Sequence, residues 1–191
     1  MEKKGFTLIE LLIVIGIIAI LAAVTLVVLN PAEMLRKARD SQRLQDLDSL
    51  GSAISLYLAE VEDPKLDNNE ADGWCRNVTD GKDPSKVWCS NLNAGCDVNK
   101  DSRAVDGSGW VPINFTSLSA GAPFGSLPVD PTNNDTYYYA YACDDEYMTF
   151  ELNAKLESTY YTDTKKYDEN DGGDNNARYE KGSEPGLDLI N

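Results

Sequence analysis

Three sets of side chains in this sequence have types and spacings that could do chemistry. They are Glu10 at the head of an apolar run, the cysteines Cys75, Cys89, Cys96 and Cys143, and the acids Asp168, Glu169, Asp171 and Asp174 around Gly172 and Gly173. A carboxylate within a membrane helix costs about 3 kcal/mol, so Glu10 calls for a cationic partner. The even cysteine count, all of it after the apolar run, points to disulfides in an oxidising compartment with three pairings open. The pairing favoured is Cys75 with Cys89 and Cys96 with Cys143. Zinc is the weaker reading, because the close C-x-x-C ligand pairs it usually takes are missing. Neighbouring carboxylates repel one another unless a hard cation or solvent screens them, so the acidic cluster reads either as a calcium loop or as a solvated acidic tail. "DVNKD", from Asp97 to Asp101, alternates oxygen side chains but puts Ser102 where an EF-hand needs glycine, and reads as a plain polar loop.

The rest of the composition narrows the function. Histidine is absent, which removes the commonest general base and with it Ser/His/Asp and Cys/His catalysis. Acid pairs such as Asp144 and Asp145 fall in a turn, where solvated charge is the ordinary explanation, and no nucleophile stands with a base; the chain reads as a non-enzyme. A formal charge of −15 repels nucleic-acid phosphates and argues against a nucleic-acid partner. The sequons at Asn77, Asn114 and Asn134 arise readily by chance in so polar a chain, and glycosylation is left unassigned.

The elements that must position these groups follow from periodicity. From Leu11 to Leu29 there is no charge and Thr25 is the only polar side chain. At 1.5 Å per residue such a helix covers about 29 Å, the thickness of a bilayer's hydrocarbon core. Lys3 and Lys4 precede it, no cleavage site follows Leu29, and the small residue Gly5 is the exposed cut point before the run. Asn30, Pro31 and Glu33 read as an N-cap, a proline at the first helical position and a capping acid; a continuous helix kinked at Pro31 is the alternative. Leu47, Leu50, Ile54, Tyr57, Leu58 and Val61 then recur at helical spacing, while Arg36, Lys37, Arg39, Asp40, Arg43, Asp46 and Asp48 cover the other faces; the basic cluster from Arg36 to Arg43 reads first as a solvated face, with lipid headgroups or acidic neighbours in an assembly as the alternatives. From Asp63 to Gly109 the chain is polar, anchored by Trp74, Trp88 and Trp110 and stapled by cysteines. Strands are expected at Val111–Phe115, over Tyr137–Ala142 and over Met148–Leu152, making an antiparallel sheet onto which the amphipathic helix lays its apolar face. The fold class is α+β: a long N-terminal helix, apolar then amphipathic, packed on a small antiparallel sheet with a disulfide-stapled loop region. Its segments are 1–5, 6–29, 30–62 and 63–191.

The run "KKGFTLIELLIVIGIIAILAA" resembles the amino-terminal signature of type IV prepilins and of the pseudopilins of type II secretion. Gly5, Phe6, Thr7, Leu8 and Glu10 all fall where that family has them. The resemblance implies cleavage after Gly5 by prepilin peptidase, methylation of the new amine on Phe6, and pairing of Glu10 with the amine of a neighbouring subunit in a helical homopolymer. It implies a single-pass precursor in the cytoplasmic membrane, surrounded by lipid, then recruitment by an assembly platform to a filament at the cell surface. "LPVDP", Leu127 to Pro131, looks like an element of major pseudopilins, a family that also carries calcium in a C-terminal loop; the length and cysteines lean towards a pilus subunit. A pseudopilin and a tip-located minor pilin acting as a binding module are the alternative roles.

Overall fold

A computed structural model describes residues 5–68, 75–76 and 86–190. Lys3, Lys4, Trp74 and the Asn77 sequon lie outside these residues. Helix α1 spans Leu8–Leu29 and α2 spans Pro31–Glu60. They meet at one residue, Asn30, whose φ of 39° and ψ of 73° are left-handed, a conformation asparagine tolerates better than most residues. The Asn30 side chain accepts a hydrogen bond from the Glu33 N–H, and Pro31 occupies the first helical position, where no intrahelical donor is needed. The capped break is therefore the arrangement adopted, in place of a continuous kinked helix.

Among the described residues five strands follow: β1 (Trp88–Cys89), β2 (Val98–Asn99), β3 (Tyr139–Asp144), β4 (Thr149–Ala154) and β5 (Tyr179–Gly182). Their order in the sheet is β2-β1-β3-β4-β5. The sheet is mixed, because β1 and β2 run parallel while the other neighbours are antiparallel. The core strands are the two expected from alternation, with Tyr139 opposite Ala154 and Asp144 opposite Thr149. Val111–Phe115 is not a strand. Its Val111, Ile113 and Phe115 are fully buried, but the segment runs as a loop into a 3-10 turn at Phe115–Ser117. Alternating apolar residues there report burial under a loop rather than a ladder.

The second half of α2 lays Leu47, Leu50, Ala53, Ile54 and Tyr57 against Tyr139, Tyr141, Phe150 and Leu152 of the sheet and against Trp110, Val111, Ile113, Phe115 and Leu127 of the loops. Each such large apolar side chain contributes roughly 1.5–3 kcal/mol by leaving water. The buried tyrosines keep hydrogen-bond partners: Tyr139 donates to Asp46 at 2.8 Å and Tyr141 to the Leu66 carbonyl at 2.9 Å. On the other face of the sheet Cys89, Ala140, Ala142, Leu189 and Ile190 form a smaller cluster.

The disulfides are Cys75–Cys143 and Cys89–Cys96, which corrects the pairing expected from sequence. The Arg76 N–H donates to the Cys143 carbonyl and Arg76 bridges Asp144 in parallel register, so Cys75 comes beside β3. Cys96 sits in the short connection that returns from β1 to β2, which carries it back to Cys89.

Candidate assembly site

Every described side chain of α1 is exposed, and none packs on the domain. At its head Thr7 is the N-cap. The Thr7 hydroxyl accepts from the Glu10 N–H, while Glu10 Oε2 accepts from the Thr7 N–H at 2.8 Å and from the Thr7 hydroxyl at 2.6 Å. This capping box satisfies two of the donors a helix start leaves over. Within one chain, then, the Glu10 carboxylate is held by Thr7. The T-x-x-E spacing that signals this is plain in "TLIE", yet Thr7 entered the sequence reading only as part of the signature. Gly5 and Phe6 are exposed immediately before the cap, with nothing packed around Gly5.

A second group fixes α2, and hence the direction from which α1 leaves the domain. Arg43 and Asp40 are fully buried, against the expectation of a solvated face. Arg43 grips Asp130 with two bonds, Nε to Oδ2 at 2.6 Å and Nη2 to Oδ1 at 2.9 Å, and reaches Asp40 at 2.7 Å and Glu157 at 2.6 Å. Asp40 in turn accepts the Glu157 and Ser158 N–H groups and the Ser158 hydroxyl. Arg39 closes the group with two bonds to Glu157. Burial alone would lower the Arg43 pKa, but the hydrogen bonds and charges of Asp130, Glu157 and Asp40 outweigh it, and the guanidinium is held charged. Glu157 is held at about 2, first by its bond to Arg39 and then, against some desolvation, by Arg43. Planar, bidentate pairing with low exposure is the geometry in which an ion pair is worth more than its desolvation cost. Asp130 belongs to "LPVDP", so that motif works here as a clamp on α2: Asp130 takes Arg43, and the Pro128 carbonyl takes the Trp110 indole N–H at 2.9 Å.

The acidic cluster is not gathered into one site. Glu169 pairs with Lys166 at 2.6 Å, and Asp171 accepts the N–H groups of Gly173 and Glu180 through its two oxygens. Asp168 keeps one buried oxygen without a partner, its pKa raised by desolvation and by Glu169, Asp171 and Asp163. Among the described residues, the three acid or thiol ligand atoms that converge are those of Asp67, Cys75 and Asp145, and Cys75 is committed to a disulfide. The residues named for calcium do not converge as one ligand set in this arrangement. Part of the stretch expected as an acidic tail is instead strand β5, whose Glu180 lies buried beside Glu151 of β4. Burial, and the Glu180 carboxylate next to it, push Glu151 up to about 8. Asn114 and Asn134 serve turns, each accepting the N–H of the threonine two residues on.

An apolar stem with no cover of its own, headed by a capped acid and joined through Asn30 to a small α+β domain, is the feature any assignment must explain. The comparisons agree on one. The family described as the prokaryotic N-terminal methylation motif matches residues 1–26. The type IV major fimbrial protein FimA of Dichelobacter nodosus is 29% identical over 125 residues, covering 65% of this chain and 74% of the relative. Both findings support the type IV pilin family. No solved structure was found to match the chain.

Proposed function

We infer that this protein is a structural subunit of a type IV pilus-like filament, cut after Gly5, methylated on Phe6, and assembled by burying α1 against the same helix of its neighbours. The observation that carries the reading is the helix itself: 22 residues, apolar in sequence except for Glu10 and Thr25, with every described side chain exposed. Thr25 donates back to the Leu21 carbonyl at 2.8 Å and so needs no partner. Water does not tolerate such a rod, lipid does, and a bundle of identical rods does equally well. In the precursor the rod sits in the cytoplasmic membrane; in the filament it sits among its copies, stacked head to tail so that growth does not close.

Glu10 acts in the second state. Cleavage after Gly5 creates an amine on Phe6, and the carboxylate exchanges its hydrogen bonds from Thr7 for that charge on an adjoining subunit. The exchange adds the attraction of a full positive charge, which neither Thr7 donor carries. Prepilin peptidase and a membrane assembly platform are the implied partners. The fimbrial relative favours a pilus over a secretion pseudopilin, since "LPVDP" is accounted for by its clamp on Arg43. Mass spectrometry of native material tests the processing: an N-methyl-phenylalanine terminus is expected, and an intact initiator methionine in assembled fibres overturns it. Deleting the gene separates the roles. Loss of surface fibres supports the pilus, whereas retention of fibres with an exported protein trapped inside the cell supports the pseudopilin.

A further inference from the structure

The first turns of α2 leave two apolar side chains uncovered: Met34 is 59% exposed and Leu35 63% exposed, although the apolar run of α1 has already ended at Leu29. Against the same turns, on the side of Glu33 and Lys37, lies the one-turn π-helix Tyr160–Thr164 with the loop after it. It is tied to the helix directly. Glu33 Oε1 accepts from the Thr159 hydroxyl at 2.9 Å and from the Tyr160 N–H at 3.3 Å, and the Lys37 ammonium lies 3.5 Å from the centre of the Tyr160 ring. Tyr160 meets Tyr161 edge-on at 5.0 Å, Tyr161 meets Tyr167 at 5.4 Å, and Lys165 stands 5.7 Å from the Tyr160 ring.

Chain length places this patch. Glu33 to Leu35 follow Leu29 by four to six residues, so at 1.5 Å per residue they stand at most about 6–9 Å beyond the end of the span. The polar layer on each side of the hydrocarbon is about 5–8 Å deep. Lys37 is further along the helix, but its side chain is bent back over a ring whose own backbone is bonded to Glu33, which returns its ammonium to the same level. The patch thus offers tyrosine rings, lysine amines and two bare apolar side chains at headgroup depth. Tyrosine favours that layer because its ring is apolar and its hydroxyl wet.

Charge distinguishes the patch from the rest of the surface. The chain carries −15 overall, which an anionic leaflet repels. Here Arg36 stands 3.7 Å from Glu33 and Lys166 bonds Glu169, while the Lys37 and Lys165 ammonium groups lie over the Tyr160 ring. Arg39 and Arg43, the rest of the basic run, are spent inside the domain on Glu157, Asp130 and Asp40. Within this part of the helix and its neighbouring loop, Lys37 and Lys165 are held over a ring rather than in an ion pair.

We propose that this patch, formed by Met34, Leu35, Lys37, Tyr160, Tyr161 and Lys165, seats the globular domain on the phospholipid headgroups of the bilayer that holds α1, fixing the domain's tilt before extraction. The proposal rests on the membrane-anchored precursor inferred above. Its test uses the full chain in nanodiscs of phosphatidylethanolamine and phosphatidylglycerol, with a nitroxide placed singly at Thr164→Cys, Ser119→Cys or Ile20→Cys. Ser119 marks the far end of α2, since its N–H bonds Glu60. The expected result is a hydrocarbon signal at 20, aqueous collision rates at 119, and at 164 an oxygen-to-nickel accessibility ratio severalfold above that at 119. Adding Tyr161→Ser with Lys37→Glu should return the 164 label to the value at 119 while leaving the label at 20 in hydrocarbon. Equal ratios at 164 and 119 with 20 still in hydrocarbon overturn the seating and leave the anchor intact. Shielding of 164 confined to assembled fibres overturns it in favour of a neighbouring subunit, and an aqueous signal at 20 overturns the anchor itself.

Discussion

The two helices on either side of Asn30 solve opposite problems with similar backbones. Helix α1 exposes leucine, isoleucine and valine along its whole length, and its single acid is satisfied locally by Thr7. Helix α2 hides an arginine and an aspartate at positions where a surface helix would put them in water. The difference teaches where each helix finds its free energy. For α1 it lies outside the domain, in whichever apolar surroundings the proposed function gives it. For α2 it lies in a domain built around it, strongly enough to hold charge without solvent. A filament subunit needs both, because a stem can move between surroundings only if the head does not unfold as it goes.

The sharpest way to break this contrast is Arg43→Ala. It leaves Asp40, Asp130 and Glu157 buried around a lost cation, and about 3–5 kcal/mol of domain stability should go, read as a fall in the urea midpoint of the detergent-solubilised chain. Next are the disulfides. Closing a 68-residue separation at Cys75–Cys143 is worth about 4 kcal/mol in chain entropy and the 7-residue one at Cys89–Cys96 about 2. Replacing the first pair with alanine should therefore lower the midpoint more than replacing the second, and the reverse order would put the anchoring of the domain at the sheet edge.

Acidity sharpens the comparison within the domain. Glu157, held at about 2 against an ordinary 4.5, gives stability that is present above pH 4.5 and lost as pH falls towards 2. Glu151 acts the other way. Between 4.5 and about 8 the folded state keeps a proton that the unfolded state has released, so stability falls as pH rises through that window and levels off above it. A urea-midpoint profile should peak near pH 4.5. In Glu151→Gln the alkaline slope should flatten, and an unchanged slope would assign it to other groups. The smallest effect on unfolding, below about 0.5 kcal/mol as for a surface change, is expected of Glu10→Ala. The same substitution should abolish fibres seen by electron microscopy while leaving cleavage after Gly5 intact, and normal fibres would remove the role given to the carboxylate.

How much of this could be read from the letters differs by region. The apolar run needs no tertiary information, since 19 uncharged residues behave alike in any fold. The face of α2 from Leu47 to Tyr57 and the pairing of β3 with β4 were equally legible, because periods of 3.6 and 2 are local properties. Arg43 was not. Its letters match those of a solvated helix face, and only the arrival of Asp130 from 87 residues away and of Glu157 makes burial affordable. Strands β1 and β2 hold two residues each, too few to show a period, and β5 lies inside an acidic, glycine-rich stretch that reads as tail.

By itself the sequence determined the stem, the place of its one acid and the helical and strand faces of the core, since each depends on neighbours a few residues away. Tertiary structure alone decided which cysteines meet, which charges go inside, that the acids from Asp168 to Asp174 stay apart, and that tyrosines from one loop stand beside the first turns of α2. Those outcomes hang on contacts between segments remote in the chain, and such contacts leave no spacing for a sequence to display.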